Sequence, residues 1–224
     1  MITIGLIDDN EYEVDDIRAT IMTTWKKSLE MPHEVDFKLY KLVPEPNLKE
    51  QLKEELIYDV ENQVIQSLIV DYKLDSLRRV IEGKDVVEYL REKVPAFPVI
   101  ILTNAPDRSK REDTIDPDKV YDKESFFALE NEQSKEMAFK IYRNIERYIK
   151  RRSELEINLA AALDKLHEPK DPDVEVEMLA KIAGIEDELG DYTLTGQTTA
   201  EKAFDLKELH GLIGDLMALE EKLE

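Results

Sequence analysis

Residues 2 to 7, ITIGLI, make a continuous apolar run that stops at two acids, Asp8 and Asp9. A β-branched run without alternation predicts a strand buried on both faces. After Asn10, the positions Val14, Ile17, Ile21 and Trp25 recur at helical spacing and predict a helix. Val35, Phe37 and Leu39 then alternate with polar residues, the pattern of a second strand. Pro44 and Pro46 break the chain, and Leu48, Leu52, Leu56, Val60 and Val64 follow every four residues along one helix face.

Within SLIVDYK, Leu68 to Val70 predict another strand, ended by Asp71. Leu77, Val80, Ile81, Val87, Leu90 and Val94 give a helical stripe interrupted by Gly83. Pro98 opens VIILT, the most hydrophobic strand, which ends at Thr103. The segment 106–118 is polar and predicts at most a brief helix, and Val120 and Tyr121 predict a fifth strand with Lys123 at its end. Strands alternating with helices imply right-handed crossovers and a five-stranded, doubly wound parallel sheet of the α/β class. The carboxyl ends of such strands share one edge, where these folds place their ligands. Asp9, Asp71, Thr103 and Lys123 each close a predicted strand and are expected to meet there.

From about Gln133 the pattern is helical only, which divides the chain into 1–130 and an all-α bundle or hairpin at 131–224. Ile141, Ile145, Tyr148, Arg152, Leu155, Leu159 and Leu166 approximate a heptad seam with one arginine in it. The helix is expected to break around HEPKDPD. Pro172 restarts a second one, bearing Val174, Leu179, Ile182, Ile185 and Leu189 and stopped by Gly190. Thr198 and Glu201 have capping-box spacing for a last helix lined by Leu206, Leu209, Ile213, Leu216 and Leu223.

Composition narrows the classes. The 224 residues are 42% hydrophobic and include no cysteine, so disulfides and thiolate metal sites are excluded. The N-terminus lacks the basic and apolar regions of a signal peptide, and no run approaches a membrane span; a cytoplasmic location is expected. A net charge of −20 repels phosphate backbones. The one compact basic group, Arg143, Arg147, Lys150, Arg151 and Arg152, reads as a solvated helix face, so neither nucleic acid nor membrane is expected as a partner.

Two acids after the first strand, one after the middle strand, a threonine after the next and a lysine after the last form the ordered set LIDDN, LIVDYKL, VIILTN and VYDKES. Over residues 1–128 this resembles the receiver domain of bacterial response regulators in two-component signalling, a flavodoxin-like fold. The spacing from Asp9 to Asp71 is longer than in that family because of the Leu48–Val64 segment. Carboxylates crowded at one edge take up protons unless a cation joins them, and magnesium suits a few carboxylates plus a phosphate. The resemblance implies that Asp9 and Asp71 ligate Mg2+ directly, with Asp8 doing so directly or through water. It further implies that Asp71 accepts a phosphoryl group from a sensor histidine kinase or phosphotransfer protein, with Lys123 neutralising the moving charge and Thr103 binding it after transfer.

A phosphoacceptor regulator of this kind is no enzyme in its own right, and its helical half is expected to engage a protein partner or a second copy of itself. Val120 and Tyr121 stand around the family's aromatic switch position, and Glu124 stands where the family carries proline. Taken singly, the Asp8–Asp9 pair reads equally well as a helix cap, and Lys123 as a surface charge. Two alternatives to the phosphoacceptor reading follow. One is a pseudo-receiver scaffold that binds partners without phosphorylation. The other is a receiver combined with a phosphotransfer helix, since His210 in HGLIG resembles the histidine of such helices, although Ile213 replaces their lysine. The other histidines, His33 and His167, are too scattered for a metal cluster.

Overall fold

The computed structural model describes residues 1–28, 34–43, 45–74, 81–104, 106, 116–129, 131–166 and 172–194. Five strands, β1 (Ile2–Ile7), β2 (Val35–Leu39), β3 (Ser67–Asp71), β4 (Val99–Thr103) and β5 (Val120–Asp122), form one parallel sheet in the order β2-β1-β3-β4-β5. This is the flavodoxin-like order of a doubly wound fold, as the alternation of strands and helices predicts.

One face of the sheet is built from alternate residues of each run. Ile4 and Leu6 of β1, Ile69 of β3 and Ile100 and Leu102 of β4 share a cluster with Val14, Ile17 and Ile21 of α1 (Glu11–Thr23). Met137, Ala138, Ile141 and Ile145 of the long helix α5 (Glu132–Leu166) close the same cluster. Trp25, in a single π-helical stretch Thr24–Ser28 that continues α1, donates its indole N–H to the Ala138 carbonyl at 3.0 Å. Its ring meets Tyr142 edge-on with centroids 5.3 Å apart. Burying an aromatic body while satisfying its polar tip ties the end of α1 to α5.

Side chains alternate along strands, so Leu68, Val70, Ile101 and Val120 point to the opposite face, and they too are buried. Helices α2 (Leu48–Glu61) and α3 (Gly83–Lys93) contribute buried Leu52, Leu56, Val60, Val86, Val87 and Leu90. Each such aliphatic side chain stabilises the fold by roughly 1.5–3 kcal/mol. A Lys49–Asp85 ion pair at 3.1 Å joins the two helices.

The structure departs from the sequence pattern at Val64 and at Gly83. Val64 does not extend the α2 stripe: the helix ends at Glu61, and Gln63 takes a left-handed φ of 56°, which turns the chain and leaves Val64 exposed. Gly83 does not interrupt a helix but opens α3. Leu77, Val80 and Pro44 lie outside the described residues.

The first compact unit runs from Met1 to Arg151 and takes in the start of α5, which the sequence division at 130 placed in the second half. The stripe Met137 to Ile145 explains this, because it belongs to the core of the sheet. The second unit begins at Arg152. Its described part is the rest of α5 and helix α6 (Pro172–Gly190), which starts at the proline and ends at the glycine the sequence marks. Arg152, the polar member of the heptad seam, is buried and donates from Nε to Glu156 at 2.9 Å. Leu155, Ala162 and Ile182 are buried as well. The expected last helix from Thr198, and His33, His167 and His210, lie outside the described residues. Among those described, no helix is long and apolar enough to cross a membrane.

Candidate functional site

The register of the sheet assembles the site. Ile7 pairs with Val70, so Asp8 comes level with Asp71 where both strands end. Asp71 pairs with Leu102, which puts Thr103 one residue further on, and Thr103 pairs with Asp122, which puts Lys123 one further again. Four strand ends therefore bring Asp8, Asp71, Thr103 and Lys123 to the carboxyl edge.

Lys123 is the first residue of the short helix α4 (Lys123–Phe127), whose cap Asp122 accepts the Ser125 N–H at 2.8 Å. It is only 2% exposed, which rules out a surface charge. Its Nζ lies 3.0 Å from Asp8 Oδ2 and 3.2 Å from Asp71 Oδ1, and it donates to Glu13 Oε2. Asp8 is held from its other oxygen by the Asn10 backbone N–H at 2.9 Å. The cap of α1 is Asn10, whose side chain accepts the Tyr12 N–H at 3.1 Å, so the Asp8–Asp9 pair does not serve as the cap.

Glu13 is the site residue that sequence reasoning missed. Asn10 Nδ2 donates to Glu13 Oε1 at 3.2 Å, an acid three residues after an N-cap residue. That Asn-x-x-Glu spacing resembles a capping box and was the available signal that Glu13 folds back towards the strand ends.

Beside the ammonium opens a cavity of about 580 Å³. Asp9, Glu13, Asp71, Lys73, Thr103 and Lys123 all line it. Asp9 is half-buried there and Thr103 almost fully buried. Among the described residues, the acids that cluster are Asp8, Glu13 and Asp71, each with an oxygen within 4.8 Å of the others. The Lys73 backbone N–H reaches Asp71 Oδ1 at 3.3 Å.

The electrostatics follow from burial. Desolvation pushes the Asp71 carboxyl up to about 6; Lys123 opposes the shift, and the neighbouring Asp8 adds to it. Desolvation also raises Asp8, again against the pull of Lys123. For Lys123 burial disfavours the charge, but the bond to Glu13 and the charges of Asp71 and Asp8 outweigh it and raise its pKa. With all groups ionised, three carboxylates face one ammonium and two negative charges remain uncompensated. A divalent cation would balance them, and the donors are all hard carboxylate oxygens, so this acidic group can bind a metal ion.

Tyr121, the aromatic residue two before Lys123, is buried, and its hydroxyl has no hydrogen-bond partner among the described residues. Burial pushes that hydroxyl up to about 12, with the charges of Asp118, Asp116 and Glu136 adding to it. No protein-family model matches the chain, and no curated protein matches it.

Proposed function

We propose that the chain is a phosphoacceptor regulator of the two-component type, in which Asp71 takes a phosphoryl group from a phosphohistidine of a sensor kinase or phosphotransfer protein. The observation that carries this reading is the buried Lys123 ammonium, 3.2 Å from Asp71 and 3.0 Å from Asp8, at the carboxyl edge of a flavodoxin-like sheet. A purely structural ion pair needs no cavity beside it, and here Asp71 and Lys123 both line one.

The residues divide the chemistry. With its pKa of about 6, Asp71 is mainly carboxylate at neutral pH and can attack phosphorus. The Asp71–phosphorus bond forms as the phosphorus–nitrogen bond breaks, and the electron pair stays on the donor imidazole. Lys123 offsets the charge of the moving group, and the Thr103 hydroxyl at the end of β4 donates to a phosphoryl oxygen after transfer. Mg2+, held by Asp8 and Asp71 with Asp9 on the cavity wall, would supply further positive charge to the phosphoryl oxygens.

Transfer replaces the single charge of the Asp71 carboxylate with the roughly 1.5 to 2 negative charges of a phosphoryl group, a net gain of at most about one. That change acts on the neighbouring strand ends and, through them, on contacts of the helical half with a partner protein or a second copy of the chain. The test is intact mass after incubation with Mg2+ and acetyl phosphate. A gain of one phosphoryl group, dependent on Mg2+, supports the reading. Wild-type protein that stays unlabelled under conditions that label a control receiver domain, with partner binding unchanged in Asp71→Asn, would instead make it a scaffold.

A further inference from the structure

Resting on the phosphoacceptor reading, we infer that Glu13 is an internal competitor for Lys123, which must release the ammonium before a phosphoryl group can use it. An ammonium offers three N–H donors. In this site the Lys123 Nζ donates to Asp8 and Glu13 and stands in an ion pair with Asp71 at 3.2 Å, so an incoming anion has to compete with three carboxylates for it.

One of the three must yield, and their surroundings distinguish them. Asp8 has a side chain only 1% exposed and is fixed from behind by the Asn10 backbone N–H. Asp71 is the attacking group and has to stay. Glu13 is the most accessible, 24% exposed, on the first turn of α1, with a longer side chain that can swing into the cavity it lines. Its partner Asn10 Nδ2, exposed and 3.2 Å away, can follow it or let it go.

Charge points the same way. Glu13 holds a negative charge beside the place that a dianionic phosphoryl donor must reach, and next to the buried Asp8 and Lys123 that repulsion is screened less than in bulk water. Removing the charge loosens the hold on Lys123 and reduces the repulsion, so donor binding and transfer both gain. Glu13 acts through Lys123 and is a positioning residue, which slows phosphoryl entry from small donors and leaves the site to a partner able to displace it.

The test measures the rate of labelling by acetyl phosphate at saturating Mg2+ in wild type, Glu13→Gln and Glu13→Ala. In each case the Asp71–phosphorus bond forms as the donor's acyl oxygen–phosphorus bond breaks, and acetate leaves with the electron pair. Thermal unfolding checks that the variants fold, and calorimetry measures their Mg2+ affinity. We expect both variants to label about tenfold faster and to reach half-maximal rate at lower donor concentration. Equal or slower labelling in both overturns the inference and leaves the phosphoacceptor reading intact. A fall of about tenfold or more in Mg2+ affinity with slower labelling would make Glu13 a metal ligand and also overturn it. If wild type and both variants all fail to label, the phosphoacceptor reading falls, and this inference falls with it.

Discussion

A methyl group placed on Gly83 would sit 1.9 Å from the backbone carbonyl oxygen of Asp71. The first residue of α3 is therefore pressed against the strand end that carries the proposed acceptor, and only the absence of a side chain allows it. The clash is with backbone, which cannot rotate away. Gly83→Ala is expected to cost about 1–3 kcal/mol of stability and to displace Asp71. Urea unfolding measures the first effect, and a labelling rate that falls more than in equally destabilised core variants measures the second.

Asp71 should make stability depend on pH. Its folded pKa of about 6 lies above the ordinary carboxylate value of 3.8, so the native state binds its proton more tightly than the unfolded chain does. The resulting stabilisation is fully present below about pH 4 and is lost as pH rises through 6, with a size on the order of 2–3 kcal/mol. Subtracting the unfolding curve of Asp71→Asn from that of wild type isolates the contribution. A divalent cation should reduce the loss at neutral pH by favouring the carboxylate.

Much of this arrangement could be read in the sequence, because each strand ends where an apolar run meets a polar residue. The run ITIGLI meets the pair Asp8 and Asp9, SLIV meets Asp71, and VIIL meets Thr103, and parallel topology does the rest; the sequence pointed to Asp9 as the strand-end acid, and it is Asp8 that meets Lys123 while Asp9 lines the cavity. Glu13 was hidden for a physical reason: helical periodicity reports which residues face the core, whereas Glu13 faces a neighbouring strand end through its cap. Val64 misled because spacing alone cannot show that Gln63 leaves the helix with positive φ. The core role of Met137 to Ile145 was obscured because a heptad seam and a sheet-covering stripe share nearly the same period.

A second buried network lies away from the site and should affect stability alone. Tyr40 donates to Asp59 Oδ2 at 2.6 Å, and Lys38 bonds the same oxygen while pairing with Glu55 at 2.8 Å. This ties β2 to α2. Tyr40→Phe should cost about 1–2 kcal/mol, and Asp59→Ala about 3 kcal/mol because it removes the acceptor shared by both donors. A double-mutant cycle in urea should show coupling between the two, with the labelling rate unchanged.

Lys123→Met should leave Asp8, Glu13 and Asp71 facing one another without their ammonium. We expect a loss of about 3 kcal/mol at pH 7 that shrinks towards pH 5 as Asp71 and Asp8, both raised by burial, protonate. Thermal unfolding at the two pH values checks this, and labelling should fall below detection.

The most direct measurement is chemical trapping of the acceptor. An aspartyl phosphate is reduced by borohydride to homoserine, so protein treated with Mg2+ and acetyl phosphate, reduced, digested and sequenced by mass spectrometry reports which carboxylate carried the phosphoryl group. Homoserine at position 71, absent when the donor is left out, is the expected result. Reduction at another acid, or none at any position in protein that has gained phosphoryl mass, would contradict the assignment of Asp71.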